Sequence, residues 1–106
     1  MADITVQELK QRLDAGEELT IIDVRESHEW EQAHITDNHI PMGDIPGKLA
    51  GMEDQKDAEI IVHCRSGGRS GQIAMFMTQH GFSNVRNLAG GMLAWRDNID
   101  PDFDVQ

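Results

Sequence analysis

Short runs of apolar and β-branched residues recur along the chain, and each has the length of a buried strand. The three clearest runs span Leu19–Val24, Glu59–His63 and Asn84–Leu88. His39 and Ile40 form a weaker candidate strand before Pro41. Short buried strands that are separated by helical segments are typical of a parallel α/β sheet.

The segments around these runs carry apolar residues at helical spacing. Thr5 and Glu8 form a capping box that begins the first helix, and Gly16 ends it. The other predicted helices span Glu26–Ala33, Ile45–Met52, Ser70–His80 and Gly91–Arg96. The helix at Ile45–Met52 is weak, and Pro46 and Gly47 interrupt it. We therefore predict one α/β domain over residues 1–97, with a central, mainly parallel sheet that is flanked by helices on both faces. Residues 98–106 are acidic, and we expect them to form a loose C-terminal tail.

Composition narrows the classes of partner. The chain of 106 residues has 19 acidic and 9 basic residues and a formal net charge of −10. Such a field repels nucleic acids and anionic membranes, so we expect neither as a partner. No apolar run approaches the ~18 residues that span a bilayer, and the N-terminus does not resemble a signal peptide. The single cysteine cannot form an internal disulfide, so we expect a cytoplasmic protein.

The only cysteine lies where the second strand ends and a glycine-rich turn begins. The turn reads Cys64-Arg65-Ser66-Gly67-Gly68-Arg69-Ser70. Its backbone N–H groups, the start of the next helix and two fixed positive charges would all favour a thiolate. The same groups can hold a small anion beside the sulfur. This pattern indicates a nucleophilic cysteine with its own anion site.

Two residues near this turn need separate interpretation. Asp23 ends a neighbouring strand, and the carboxyl ends of parallel strands share one edge of a sheet, where ligands bind. We expect Asp23 to support the site by bracing the loop or an arginine. His63 directly precedes Cys64, but adjacent strand residues point to opposite faces, so we do not expect His63 to act as its base. The other histidines lack the spacing of metal ligands.

Taken in order, the motifs of the chain resemble the rhodanese family of sulfurtransferases over about residues 19–96. The matching segments are Ile22–Glu26, Trp30–Glu31, Ala33–Ile35, His39–Pro41, Cys64–Ser70, Gly81–Val85 and Leu88–Trp95. The chain departs from the family at residues 33–38, where Ala-His-Ile-Thr-Asp-Asn replaces the usual Gly-His-Ile-Pro-Gly-Ala. Glycine and proline normally set the geometry of that turn.

The resemblance implies that Cys64 takes up sulfane sulfur as a persulfide, from thiosulfate or a related small anion. A small thiol, a protein or cyanide would then accept the sulfur, and no metal or organic cofactor would be required. We expect the guanidinium groups of the loop to bind the donor's oxygens. We expect its remaining residues to supply backbone N–H groups. The predicted donor-binding residues are Arg65, Ser66, Gly67, Gly68, Arg69 and Ser70.

Two other functions stay open. The phosphatase and arsenate-reductase relatives of the family have five residues between cysteine and arginine, whereas four separate Cys64 from Arg69 here, so the spacing favours sulfur. The chain could instead be a sulfur carrier or partner-binding module that receives sulfur from a protein persulfide. The charge of −10 supports this alternative, because it repels free anions and attracts a basic partner.

Overall fold

Three parallel strands form the centre of the molecule. The computed structural model describes residues 3–105. The strands, in their order across the sheet, are β1 (Thr20–Asp23), β2 (Ile60–His63) and β3 (Val85–Asn87). In the register Asp23 lies opposite His63, and Val62 lies opposite Asn87. The three predicted strands are confirmed, whereas the weak strand at His39 is a single bridge to Asp23.

Helices connect these strands. In the described part of the chain they are α1 (Val6–Asp14), α2 (Ser27–Gln32), α3 (Ile45–Lys48), α4 (Gly68–Gln79) and α5 (Gly91–Asn98). The weak helix predicted from Ile45 to Met52 is divided between α3 and a 3-10 helix at 49–55, and another 3-10 helix at 42–44 precedes α3. The division follows Lys48, whereas the predicted interruption lies at Pro46 and Gly47. Pro46 lies in the first turn of α3, where proline is tolerated, and the backbone of Met52 is non-helical within the segment 49–55. Within the range that the structure describes, no helix has the length and apolar character needed to cross a membrane.

Each face of the sheet has its own hydrophobic core. On one face, α3 and α4 cover Ile22, Val62 and Cys64. On the other face, α1 and α5 cover Ile21 and Ile61. The alternation of strand side chains between the two cores confirms the predicted architecture of a parallel sheet between helices.

The acidic C-terminal segment packs against the domain. The side chain of Phe103 is 8% exposed and belongs to the core under α1 and α5. Arg96 Nη1 donates a hydrogen bond to the carbonyl oxygen of Val105 at 3.2 Å. The expectation of a loose tail over 98–106 is therefore wrong for the described residues up to 105, because Phe103 is buried in the core and the carbonyl of Val105 is bound by Arg96. The domain boundary at residue 97 stays a prediction.

A threonine fixes the turn in which the chain departs from the family's usual sequence. Thr36 Oγ1 donates to the carbonyl oxygen of Ile21 at 3.0 Å and accepts the backbone N–H of Asn38 at 3.1 Å. Its own carbonyl oxygen accepts the indole N–H of Trp30 at 2.9 Å. Side-chain hydrogen bonds thus hold this turn without the usual glycine and proline.

Candidate active site

Cys64 follows β2 directly, at the start of the loop that leads into α4. Its side chain is buried, with 1% of its surface exposed. The backbone N–H of Gly67 donates to Sγ at 3.1 Å, and the hydroxyl of Ser70 lies 3.3 Å from Sγ as a second donor. The loop is therefore wrapped around the thiol, and its donors point at the sulfur.

These hydrogen bonds change the acidity of the thiol. Burial alone would raise the pKa of Cys64, because a buried thiolate loses its hydration. The Ser70 hydroxyl and the backbone N–H groups of Ser70, Gly67 and Ser66 act in the opposite direction. Together they prevail, so the pKa of Cys64 lies below its ordinary value, which increases the fraction of thiolate.

Helix α4 begins inside this loop, two residues before the predicted start at Ser70. Its N-cap is Gly67, whose φ of 104° is a left-handed conformation that glycine adopts without strain. Ser70 is therefore a first-turn residue, and its hydroxyl faces Cys64 instead of capping the helix. The early start brings the unpaired N–H groups of the first turn, and the positive end of the helix dipole, to the sulfur.

Asn87, which the sequence analysis did not single out, connects the loop to β3. Its Nδ2 donates to the carbonyl oxygen of Gly67 at 3.1 Å, and its Oδ1 accepts from Ser70 Oγ at 2.6 Å. Because the hydroxyl has one proton, Ser70 can donate either to Asn87 or to the thiolate of Cys64 at any moment. The sequence signal for this contact was that Asn87 is a polar residue at the carboxyl end of β3, the strand next to β2.

The N-terminus of α5 supports the loop from another side. The backbone N–H groups of Met92 and Leu93 donate to the carbonyl oxygens of Cys64 and Arg65, each at 3.0 Å. Gly91 permits this contact, because a Cβ there would lie 2.5 Å from the carbonyl oxygen of Cys64. The glycine-rich motif at the start of α5 thus contributes to the site by holding the loop backbone.

The two loop arginines have different surroundings. Arg65 is exposed. Arg69 forms a two-pronged ion pair with Glu29 of α2, with Nη1–Oε1 at 2.7 Å and Nη2–Oε2 at 3.0 Å. This pairing raises the pKa of Arg69 and lowers the pKa of Glu29 to about 2. The binding of a sulfur donor by Arg65 and Arg69 stays a prediction. Glu29 is a further residue of the site that was not predicted from the sequence.

Asp23 lies on the opposite side of the sheet from the Cys64 side chain and pairs with Arg25. Its Oδ2 lies 2.8 Å from Arg25 Nη2, and its Oδ1 accepts the Nε–H and backbone N–H of the same residue. Burial would raise the pKa of Asp23, but the hydrogen bonds from Arg25, together with electrostatic effects of His63 and Arg25, outweigh it and the pKa is lowered. Arg25 also donates to the carbonyl oxygen of Ala33 at 2.7 Å. Asp23 thus braces an arginine outside the loop, and its direct contact is with the fold around β1.

His63 lies beside Asp23 on that same side of the sheet. Its Nε2 is 3.8 Å from Asp23 Oδ2, and its side chain is completely buried. Burial lowers the pKa of His63 to about 4, so the ring is neutral at pH 7. The ring is therefore directed away from the sulfur of Cys64, as strand alternation predicts.

Two other features complete the surroundings of the site. Among residues 3–105, no cluster of three or more His, Cys, Asp or Glu side chains could hold a metal ion.

A pocket of about 160 Å³ lies beside α2. Its lining residues are Arg25, His28, Glu29, Gln32 and Val105. The pocket therefore shares Glu29 with the Arg69 ion pair but contains no residue of the Cys64 loop.

Comparison with known proteins agrees with this geometry. Residues 5–98 match the family described as Rhodanese-like domain. The YtwF protein of Bacillus subtilis is 41% identical over 100 residues, which cover 93% of this chain and 94% of that protein. A sulfurtransferase of Allochromatium vinosum is 37% identical over 94 residues, with coverage of 88% and 86%. The crystal structure of a rhodanese-like domain protein from Staphylococcus aureus has a TM-score of 0.82 at 30% identity and covers 100% of this chain and 99% of its own. The chain therefore belongs to the rhodanese-like domain family.

Proposed function

We propose that this rhodanese-like protein is a sulfurtransferase that carries sulfane sulfur as a persulfide on Cys64. The supporting observation is the set of hydrogen bonds to Sγ from Gly67 and Ser70, which lower the pKa of a buried thiol. Its sulfurtransferase relatives support the same class of reaction. We further propose the cytoplasm as its compartment, because an unpaired reactive thiol stays reduced there.

The proposed reaction has two displacements. The Cys64 thiolate attacks the outer sulfur of thiosulfate, the S–S bond of the donor breaks, and sulfite leaves with the electron pair. A thiolate or cyanide then attacks the terminal sulfur of the persulfide, and Cys64 leaves as the thiolate. Sulfur is both the electrophile and the transferred atom, so the balance of atoms and electrons requires no further reactant.

The loop would assist these steps through fixed donors. The backbone N–H groups of Ser66, Gly67 and Ser70 and the hydroxyl of Ser70 stabilise the charge on Sγ. Arg65 and Arg69 would bind the oxygens of the donor, since a guanidinium fork matches an oxyanion. Gly68 lies in the first turn of α4 and leaves that turn open to the donor.

A lowered pKa favours the second displacement more than the first. For a thiol whose pKa lies above the ambient pH, each unit of decrease gives up to ~10-fold more thiolate. The same decrease lowers intrinsic nucleophilicity about threefold, because the Brønsted slope is about 0.4–0.5. A thiolate of lower pKa is also a better leaving group. The loop therefore serves the discharge of the persulfide and the binding of anions more than it serves the initial attack.

A second candidate is a sulfur carrier that receives its sulfur from the persulfide of another protein. The ion pair between Arg69 and Glu29 favours this alternative, because it engages one of the two arginines that would bind a free anion. The net charge of −10 also opposes the approach of small anions. Fast turnover with thiosulfate would argue against this candidate.

Mass spectrometry of the intact protein tests the proposal. Incubation of the folded chain with thiosulfate should add the mass of one sulfur atom to Cys64 and release one sulfite for each protein. Cys64→Ser should show neither change. The sharper control is the wild-type chain in urea, which keeps the thiol but loses the loop, and which should react far more slowly. The absence of an adduct both with thiosulfate and with a small-molecule persulfide, or equal rates in the folded and unfolded chain, would overturn the proposal.

A further inference from the structure

Glu29 is fixed in place on the two terminal nitrogens of Arg69. Its two carboxylate oxygens lie 2.7 and 3.0 Å from Nη1 and Nη2. The same carboxylate is held by its own helix, since Oε1 accepts the backbone N–H of Glu26 at 3.1 Å in the capping box of α2. The Glu29 side chain is 19% exposed, against 35% for Arg69. The chain therefore supplies its own anion to an arginine of the loop.

The charges around Arg69 make this internal anion relevant to chemistry at the sulfur. A thiolate at Cys64 and the carboxylate of Glu26 both act on Arg69 electrostatically, in addition to Glu29. Three negative charges thus act on the positive charge of Arg69, while Arg65 contributes a second, exposed positive charge. A free anionic donor that binds Arg69 must either share the guanidinium with Glu29, against the charge of that carboxylate, or displace Glu29 and leave it without its partner.

We propose that Glu29 determines the class of sulfur donor: it discriminates against free anions and favours a persulfide that a partner protein presents without adding negative charge beside Arg69. This inference rests on the proposed sulfur transfer through Cys64 and specifies its donor. The donor's S–S bond breaks, its inner sulfur leaves as a thiolate, and the outer sulfur bonds to Cys64 Sγ. The net charge of −10 acts in the same direction at long range, because it repels free anions and attracts a basic protein surface.

The test compares two donors and two matched variants. Thiosulfate carries two negative charges, whereas the persulfide of N-acetylcysteamine has an uncharged carrier and at most one negative charge, on its terminal sulfur. Because it is a small molecule, it separates the effect of donor charge from protein docking. Glu29→Gln removes the charge and keeps the shape of the side chain. Glu31→Gln removes one charge from an exposed position on the same helix and serves as the control. The formation of persulfide on Cys64 is followed by mass spectrometry, and kcat and KM are measured for both donors.

With thiosulfate, Glu29→Gln should lower KM about three- to tenfold, because the carboxylate of Glu29 no longer competes with the donor for Arg69. This range corresponds to the loss of one partly buried ion pair. With the persulfide of the uncharged carrier, which lacks sulfonate oxygens and has at most one negative charge, the KM of Glu29→Gln should stay within about twofold of wild type. Both KM values of Glu31→Gln should also stay within about twofold. If Glu29 merely held Arg69 in position, Glu29→Gln would impair both donors, and that result would overturn the inference. An unchanged ratio of the two KM values would also overturn it. If no donor formed a persulfide on Cys64, the proposed function itself would fail, which is a distinguishable outcome.

Discussion

The substitution Gly91→Ala tests whether the start of α5 determines the geometry of the Cys64 loop. Gly91 has a φ of 56°, in the left-handed region. A Cβ at this position would lie 2.5 Å from the carbonyl oxygen of Cys64 and 2.7 Å from the backbone carbonyl carbon and oxygen of Arg65. Because both neighbours are backbone, the loop or the helix has to move. The hydrogen bonds from Met92 and Leu93 to the same carbonyl groups would then lengthen or break.

The size of the effect follows from two contributions. A left-handed backbone costs a residue with a Cβ roughly 1–2 kcal/mol. Forcing an extra carbon into a packed site costs about 1–3 kcal/mol more. Gly16 offers a matched control, because its φ is 81° and a Cβ there would meet nothing within 4 Å. Gly16→Ala should therefore lose only the first amount, while Gly91→Ala should lose about 2–5 kcal/mol of unfolding free energy.

Two measurements distinguish the variants. Urea denaturation gives the free energy of unfolding, and the pH dependence of iodoacetamide alkylation gives the pKa of Cys64 in the folded protein. Gly91→Ala should be the less stable variant, and its Cys64 should titrate at a higher pH than in wild type. Gly16→Ala should leave the titration unchanged. Equal unfolding free energies for the two variants, together with unchanged alkylation, would refute the assignment of α5 as the support of the loop.

Two other substitutions probe the thiol and the buried ion pair. Ser70→Ala removes a hydrogen-bond donor to the thiolate, so the pKa of Cys64 should rise and the midpoint of alkylation should move to higher pH. The control Ser83→Ala lies far from the sulfur and should leave that midpoint unchanged. An unmoved midpoint in Ser70→Ala would contradict the role of the hydroxyl. Arg25→Met leaves Asp23 buried without its cation and should cost about 3–5 kcal/mol in urea denaturation. The double variant Arg25→Met/Asp23→Leu should recover much of that loss, and equal losses in the single and double variants would argue against an uncompensated buried charge.

The strands and the cysteine loop were predictable because local patterns determine them. Leu19–Val24 and Glu59–His63 are apolar and β-branched over the length of a strand, and the structure has β1 and β2 there. Thr5 accepts the backbone N–H of Glu8 at 3.1 Å, so the predicted N-terminal cap of α1 is confirmed. The placement of a lone cysteine after a buried strand and before two glycines likewise depends only on neighbouring residues.

Most of the features that could not be predicted depend on contacts between residues far apart in the sequence. Glu29 is one of several carboxylates on an acidic helix, and only the fold brings it to Arg69. Asn87 looks like an ordinary strand end until β3 is placed beside β2. The start of α4 was missed for a different reason: a glycine N-cap carries no side-chain signal, whereas serine at position 70 resembles a normal cap. Phe103 was assigned to a loose tail because the residues around it are mostly acidic, and a single apolar ring among them did not indicate burial.

The support of the loop by Asn87 and α5 has a consequence for synthesis of the protein. Both lie later in the chain than Cys64, so a nascent polypeptide that has just exposed the cysteine lacks the residues that fix the surrounding amides. Until those residues leave the ribosome and dock, the side chain should behave as an unactivated thiol. Reactivity at Cys64 is thus acquired only after the residues up to Leu93 have been synthesised and have folded against the loop.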